Sequence, residues 1–486
     1  MDMIAKTEYG AVRGSEADGL AVFKGIPFAA PLDGPRRFLA PQPPEPWTDT
    51  REAVDFSAPT PQGTMMEGMP SLWRPGCDTD CLTVNVWTPE PGGSGLPVLV
   101  YLYGGAFLVG SSSEPTYDGT RLARDGVVVV TVNYRVGYEG FGWVADAPAN
   151  RALLDQLAAL RWVRDNIAGF GGDADNVTVF GESAGATAVA ALLSAPRATG
   201  LFRRAIAQSV AGRFLDRDEA RRMGESIAAE VGTRATVEEL AAVPPEEIHR
   251  VHKRPLARAV ANGESSQPEG ITPYAFVLDD DTVPRPPWHA LRAGSARGVE
   301  VIWGFNRDEY TLFTLGRDLS SADPGAAARA LGLGPSAVDD YRAAHPGITD
   351  ADLYTLLFSD AVFRMPTTWC ADAHASAGGR SFLYELTWPS PAMGGALRAC
   401  HALDLPLTFG NFDTPVRAMV LGESVPEEAH VLSREMRRAW VSFAGTGDPG
   451  WPAYDAERAL TRIWDVPPSV APHPEQTSRR IWASKA

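Results

Sequence analysis

Hydrophobic and polar positions change rhythm several times along this chain. Over residues 1–95, short alternating pieces such as "LAVFKGIPFA" and "LTVNVWTP" lie among Pro, Gly and Thr, a pattern of short strands and loops. Two uninterrupted apolar runs follow, "PVLVYLYGGAF" (97–107) and "VVVVTVNYR" (127–135). Runs of this kind suit strands covered on both faces, as in a parallel sheet. "RALLDQLAALRWVRDNIAGFGG" (151–172) switches to helical spacing through Leu153, Leu154, Leu157, Leu160 and Val163, and ends in glycines. A strand at 177–181 and a helix from 184 come next. The alternation predicts a doubly wound α/β core.

From about 215 to 295 the pattern becomes Arg/Glu/Ala-rich and helical, as in "DEARRMGESIAAEV". Strand signals return at "GVEVIWGFNRDE" (298–309) and "SFLYELTW" (381–388), with a second helical excursion over roughly 310–378 between them. "VLSREMRRAWVSFAGTGDP" (431–449) reads as a helix ahead of a Pro-rich tail. No repeat or long low-complexity linker divides the chain, so residues 1–486 are read as one domain carrying two helical insertions.

Composition narrows the classes. With 44% hydrophobic and 21% charged residues the chain is that of a soluble globular protein, long enough at 486 residues to bury a large core. A net charge of -16 argues against a phosphate-binding surface and so against nucleic acid. The start, "MDMIAKTEYG", lacks the apolar segment of a secretory signal, and the most apolar runs are too short to span a bilayer. A cytoplasmic location is expected. Cys77, Cys81, Cys370 and Cys400 form no dense framework, and free thiols are expected. Cys77 and Cys81 could also hold zinc or close a small disulfide loop, but no histidine pair with ligand spacing accompanies them.

The chemistry concentrates at "FGESAG". Ser183 lies in G-x-S-x-G between a strand and a helix, where Gly181 and Gly185 permit a sharp turn and the helix N-terminus aims N–H groups at the hydroxyl. Gly104-Gly105-Ala106, ending an earlier strand, offers backbone N–H groups for an oxyanion; Gly105, Ala106 and Ala184 are the candidate donors, with Phe107 beside them a candidate substrate contact. A serine nucleophile needs a base and an orienting carboxylate, each on a loop after a core strand. "GFNRDEYTLF" supplies Asp308 and Glu309, between which residue chemistry does not choose. His401 is the only histidine in the loop after 381–388. His345, His374, His430 and His473 lie in helical or Pro-rich tail segments and are expected at the surface.

These pieces together resemble the type-B carboxylesterase/cholinesterase family of α/β-hydrolases. The resemblance is carried by "FKGIPFAAP", "DCLTVNVWTP", "YLYGGAFLVG", "VVVVTVNYRVG", "DQLAALRWVRDNIAGFGGDADNVTVFGESAG", "GFNRDEYTLF", "HALDLPLTFG" and "FAGTGDP". It implies an α/β-hydrolase fold with a large, mainly parallel sheet and helices on both faces. Residue by residue it implies Ser183 as nucleophile, Glu309 as acid and His401 as base, with Gly105, Ala106 and Ala184 in the oxyanion hole. It further implies Glu182 near the site, stabilising the imidazolium, and Ser209 in "AIAQSVA" behind the histidine. The implied activity is carboxylic-ester hydrolysis through an acyl-enzyme, on small esters, without cofactor or metal, by a monomer or homodimer.

Departures from the family are local. Ala106 replaces the usual third glycine, "GYEGF" replaces a more apolar loop after Arg135, and "QSV" replaces Gln-Ser-Gly. No cysteine lies near the Pro-Gln of "PTPQGT" to pair with Cys81, so the family's disulfide there is not expected. Trp73 sits roughly where cholinesterases hold a cation-binding tryptophan, though its spacing to Cys81 differs, and packing is the favoured role. Met65, Met66 and Met69 fit an adaptable lid or loop packing equally. A non-catalytic interaction protein on this fold, or a lipase for longer chains, are the alternatives. The first typically lacks the nucleophile or base.

Overall fold

The computed structural model describes residues 3–65, 70–93, 95–262 and 272–485, so Met66 and Met69 lie outside the described residues. Its centre is a sheet with eleven strands among the described residues: β1 (Ser15–Ala17), β2 (Leu20–Pro27), β3 (Thr83–Thr88), β4 (Leu96–Leu102), β5 (Val128–Val132), β6 (Gly172–Glu182), β7 (Arg204–Gln208), β8 (Glu300–Asn306), β9 (Ser381–Leu386), β10 (Leu460–Trp464) and β11 (Ser469–Pro472). Their spatial order is β11-β10-β9-β8-β7-β6-β4-β5-β3-β2-β1. Pairing is parallel from β5 across to β10 and antiparallel at both margins. The continuous apolar runs are explained by this position. Every residue of β3, β5, β7 and β9 is buried, because layers of other elements cover the sheet.

Strand order determines where a site can form. The chain leaves β4 toward β5 on one side, then returns through helix α1 (Arg151–Asn166) to lay β6 on the other side of β4. The loops after β4 and β6 therefore diverge, opening a crevice at the carboxyl ends of neighbouring strands. Register aligns those ends, with Leu102 opposite Gly181, Glu182 opposite Gln208, and Asn306 opposite Leu386. Five loops, those after β4, β6, β7, β8 and β9, consequently leave one end of the sheet side by side.

Helix α2 (Ala184–Ser194) packs on β6 and β7. The first excursion carries α3 (Pro245–Val251), and the second carries α4 (Asp350–Ser359), a π-helical turn at Asp360–Arg364 and α5 (Met365–Ser376). The late helix α6 spans Glu427–Thr446, starting four residues before the sequence-based boundary and stopping at Gly447, whose φ of 77° ends it in a left-handed cap. Two of the histidines expected at the surface are in fact buried. His374 bonds Ser381 Oγ and Ala296 O, and His473 Nδ1 accepts from the nearby Glu475 N while its Nε2 lies 3.4 Å from Thr368 Oγ1, so partners from other elements help satisfy rings that their local sequence suggested were solvated. All four cysteines are free, Cys77 half-buried and the other three buried.

Candidate active site

Ser183 stands at the turn from β6 into α2 with φ 57° and ψ -122°, a conformation that costs on the order of 1–3 kcal/mol for a residue with a side chain. The surroundings impose it. Its N–H donates to Gln208 O at 2.8 Å, and its carbonyl accepts from Thr187 N at 2.9 Å. A Cβ on Gly185 would lie 2.0 Å from Leu102 O, so only glycine lets α2 approach β4 this closely. The serine is thus pressed against the end of β4, where a Cβ on Gly104 would lie 3.2 Å from Ser183 Cβ.

The turn after β4 is also held in an unfavourable shape, with positive φ at Gly105 (118°), Ala106 (53°) and Phe107 (61°). Gly105 O accepts from Leu108 N and Val109 N, while Phe107 O accepts from Gly137 N at 2.7 Å. Fixing these carbonyls leaves the N–H groups of Gly105 and Ala106, with that of Ala184 at the start of α2, without a backbone acceptor among the described residues. Phe107 packs edge-on to Phe141 and Phe276, walling the turn with aromatic rings.

His401 reaches the serine from the loop after β9. Its Nε2 lies 2.8 Å from Ser183 Oγ, and its Nδ1 lies 2.6 Å from Glu309 Oε2. Glu309 is fully buried, and its other oxygen accepts from Asn306 N at 2.8 Å and Ser209 Oγ at 2.5 Å. Asp308 turns away, its carboxylate accepting from Ala399 N. The choice between two adjacent acids is therefore made by the rotation of the turn after β8. Behind His401, Asp404 accepts from Gln208 Nε2 and Tyr384 Oη, adding a second buried carboxylate.

Glu182 completes the electrostatics. Its Oε1 lies 3.2 Å from His401 Nε2 and is buried with no hydrogen-bond donor of its own. Burial pushes the Glu182 carboxyl up to about 8, with Asp404 and Glu309 adding to burial and His401 opposing it. Burial alone would disfavour a charged His401, but Glu182 and Glu309 override it and hold the ring up to about 9. The environment thus favours a proton on the imidazole. Glu182 Oε1 gains its donor once Nε2 carries that proton.

Two contacts had no signal in the sequence. Phe363 stacks on the His401 ring at 4.2 Å, and Phe313 lies 5.4 Å from it. Phe363 is presented by the π-helical turn, a departure from regular spacing that residue periodicity does not reveal. Trp73 is buried in its own loop, and no hydrogen bond or ring contact joins it to Ser183, Glu309 or His401 among the described residues. The arrangement gives a hydroxyl in line with an imidazole and a carboxylate, beside free amide donors. It can perform nucleophilic acyl transfer.

Comparison with known proteins gives the family and the fold. A sequence model described as "Carboxylesterase family" matches residues 1–329 and 338–476. The para-nitrobenzyl esterase of Bacillus subtilis (strain 168) is 37% identical over 499 residues, covering 99% of each chain. Phenmedipham hydrolase of Pseudarthrobacter oxydans is 34% identical, covering 93% of each. Among solved structures, the carboxylesterase EST55 of Geobacillus stearothermophilus superposes with a TM-score of 0.86 at 36% identity, covering 99% of this chain and 100% of that one. A PNB esterase gives 0.86 at 34%, covering 99% of both. These neighbours have the α/β-hydrolase fold, which is the fold of this chain.

Proposed function

The chain belongs to the carboxylesterase family of carboxylic ester hydrolases, and from that premise we propose that it cleaves small carboxylic esters through an acyl-enzyme on Ser183. Ser183 Oγ attacks the ester carbonyl as its proton passes to His401 Nε2. The oxyanion accepts from the N–H groups of Gly105, Ala106 and Ala184. His401 then protonates the departing alcohol, and a water deprotonated by the same ring attacks the acyl carbonyl to free the acid. Glu309 keeps the Nδ1 proton in place, and Ser209 and Asn306 orient Glu309. Attack starts from the fraction of enzyme whose ring is neutral, and in that form Glu182 gains the Nε2–H only as the serine proton arrives, so its contribution to this step falls on the transition state. The substrates are proposed to be met in the cytoplasm.

The observation that carries this reading is the relay itself: 2.8 Å from Ser183 Oγ to His401 Nε2 and 2.6 Å from Nδ1 to Glu309, ending on a serine held at φ 57°. Replacing Ser183→Ala is expected to lower kcat for a nitrophenyl ester by about 10⁴–10⁶-fold and to abolish labelling by an organophosphate. Near-parental turnover in that variant, or organophosphate attached elsewhere, refutes the assignment.

A further inference from the structure

The turn that offers Gly105 and Ala106 N–H is strained, and two neighbouring loops hold it. At one end Gly137 N donates to Phe107 O at 2.7 Å. At the other, Gln62 grips Gly110 from both sides, Nε2 donating to Gly110 O at 2.9 Å and Oε1 accepting from Gly110 N at 2.8 Å. Both loops lean on one side chain, His249 of α3. A Cβ on Gly63, next to Gln62, would lie 3.3 Å from His249 Cβ, and one on Gly137 would lie 2.9 Å from His249 Cε1. Lys253, just beyond α3, adds hydrogen bonds to Thr64 O and Met65 O.

His249 faces the "GYEGF" segment, the place where a charged residue enters an otherwise apolar turn. Gly137–Phe141 forms a one-turn helix with every residue buried, and Glu139 is its only charged side chain. Glu139 Oε1 accepts from Arg37 Nε at 2.9 Å and Nη2 at 2.6 Å, while Oε2 lies 3.1 Å from His249 Nε2. Burial opposes the charge, but His249 and Arg37 override it and hold the carboxyl down at about 2. Arg37 Nη1 also donates to Val243 O, just ahead of α3, so one carboxylate joins the N-terminal region, the one-turn helix and the first excursion. Arg151 binds the carbonyls of Tyr138, Glu139 and Gly142 from the side of α1, leaving Glu139 and His249 to fix the face toward Phe107.

We propose that His249 and Glu139 are positioning residues for the oxyanion turn, setting the aim of the Gly105 and Ala106 N–H groups through Gly137 and Gln62. This rests on the acyl-enzyme reading above. Misplacing donors without removing one should cost less than the roughly 100-fold or more that follows from losing a donor outright. The effect should fall on the tetrahedral species and spare the bound ester.

The test compares the parent enzyme with His249→Ala and Glu139→Gln in steady-state hydrolysis of a nitrophenyl ester and in binding of an aryl trifluoromethyl ketone, which adds Ser183 Oγ to its carbonyl and places an oxyanion in the hole. Glu139→Gln leaves Arg37 buried beside a neutral partner; if it does not fold, His249→Ala carries the test. The expected result is kcat lower by about tenfold, ketone affinity weaker by the same factor and KM unchanged, in protein whose circular dichroism matches the parent. A lower melting temperature with kcat and ketone affinity within twofold of the parent overturns the proposal, and so does a raised KM with ketone affinity intact. Organophosphate labelling of the parent separates the two failures: no adduct at Ser183 defeats the acyl-enzyme reading, whereas full labelling with unaltered kinetics defeats the positioning role alone.

Discussion

Glu182→Gln isolates the charge that sets the state of His401. The carboxylate lies 3.2 Å from Nε2, a separation at which Coulomb's law gives about 1.3 kcal/mol in a water-like medium and about 5 kcal/mol at an effective dielectric near 20. At about 1.36 kcal/mol per pK unit, even the weaker figure lowers the imidazole by about one unit. The parent ring is held up to about 9, so the acid limb of its kcat/KM profile should lie well above the reference of about 6.5, because the protonated ring cannot accept from Ser183. In the variant the limb should move down by at least about one unit. The same energy stabilises the imidazolium formed during attack, so the variant's alkaline plateau should fall by a comparable factor. The two profiles should converge in acid and separate toward alkaline pH. Hydrolysis of a nitrophenyl ester followed from pH 5 to 10 gives both quantities. A lowered plateau with an unmoved limb would show that Glu182 acts through packing and would refute the electrostatic account.

Gly185→Ala places a methyl 2.0 Å from Leu102 O and 2.9 Å from Tyr103 O, backbone atoms that cannot rotate away. Overpacking of this kind costs about 1–3 kcal/mol, so the urea midpoint should drop and turnover should fall as α2 withdraws from β4. A variant with parental midpoint and rate would contradict the close approach. Acid stability tests two other buried groups. Burial lowers His252, helped by His249 and Lys253, and lowers His473, helped by Arg479 and Arg364, each to about 3. Both rings stay neutral in the fold but protonate in the unfolded chain below about 6.5, so unfolding takes up protons and stability declines as pH falls from about 6.5 toward 3. By pH 5.5 the pair should remove roughly 3 kcal/mol, measurable by urea titration, and His473→Gln should flatten part of that slope. An unchanged slope in His473→Gln would rule out its share.

Legibility in the sequence followed locality. β4, β5 and β9 are readable because burial on both faces demands uninterrupted apolar residues, a local requirement. The turn around Ser183 is readable for the same reason: Gly181 and Gly185 are dictated by close approach and leave their mark at fixed spacing. Partner choices made across the fold were not readable. Asp308 and Glu309 are chemically alike, and what separates them is whether the turn after β8 presents the carboxylate to Asn306 N and Ser209 Oγ or to Ala399 N. His374 and His473 looked solvated because their neighbours in sequence are polar or proline, yet Ala296 O bonds the first and Thr368 Oγ1 lies 3.4 Å from the second inside the fold. Phe363 and the clamp on Glu139 rest on a helix irregularity and on segments from three regions of the chain, and neither leaves a period.

The distribution of strain explains why so much of the fold is needed to hold so few atoms. Among the described residues, ten other than glycine have positive φ, and seven of them, Ala106, Phe107, Ser183, Ser209, Met393, Arg398 and Ala402, occupy the loops that converge on the hydroxyl and the ring. At about 1–3 kcal/mol each, these conformations would relax in an isolated loop. Three of them are gripped by a neighbour with little freedom: Ser183 N by Gln208 O, Ser209 N by Gly304 O, Phe107 O by Gly137 N. Two of those acceptors belong to buried, hydrogen-bonded strands, so relaxing either turn would break the ladder of β7 or β8. Gly137 is different, since it belongs to no strand and is held only by its own short helix and the side chains around it. The oxyanion turn is therefore the least reinforced part of the site, and substitutions behind it should reach turnover sooner than equally buried substitutions behind Ser183.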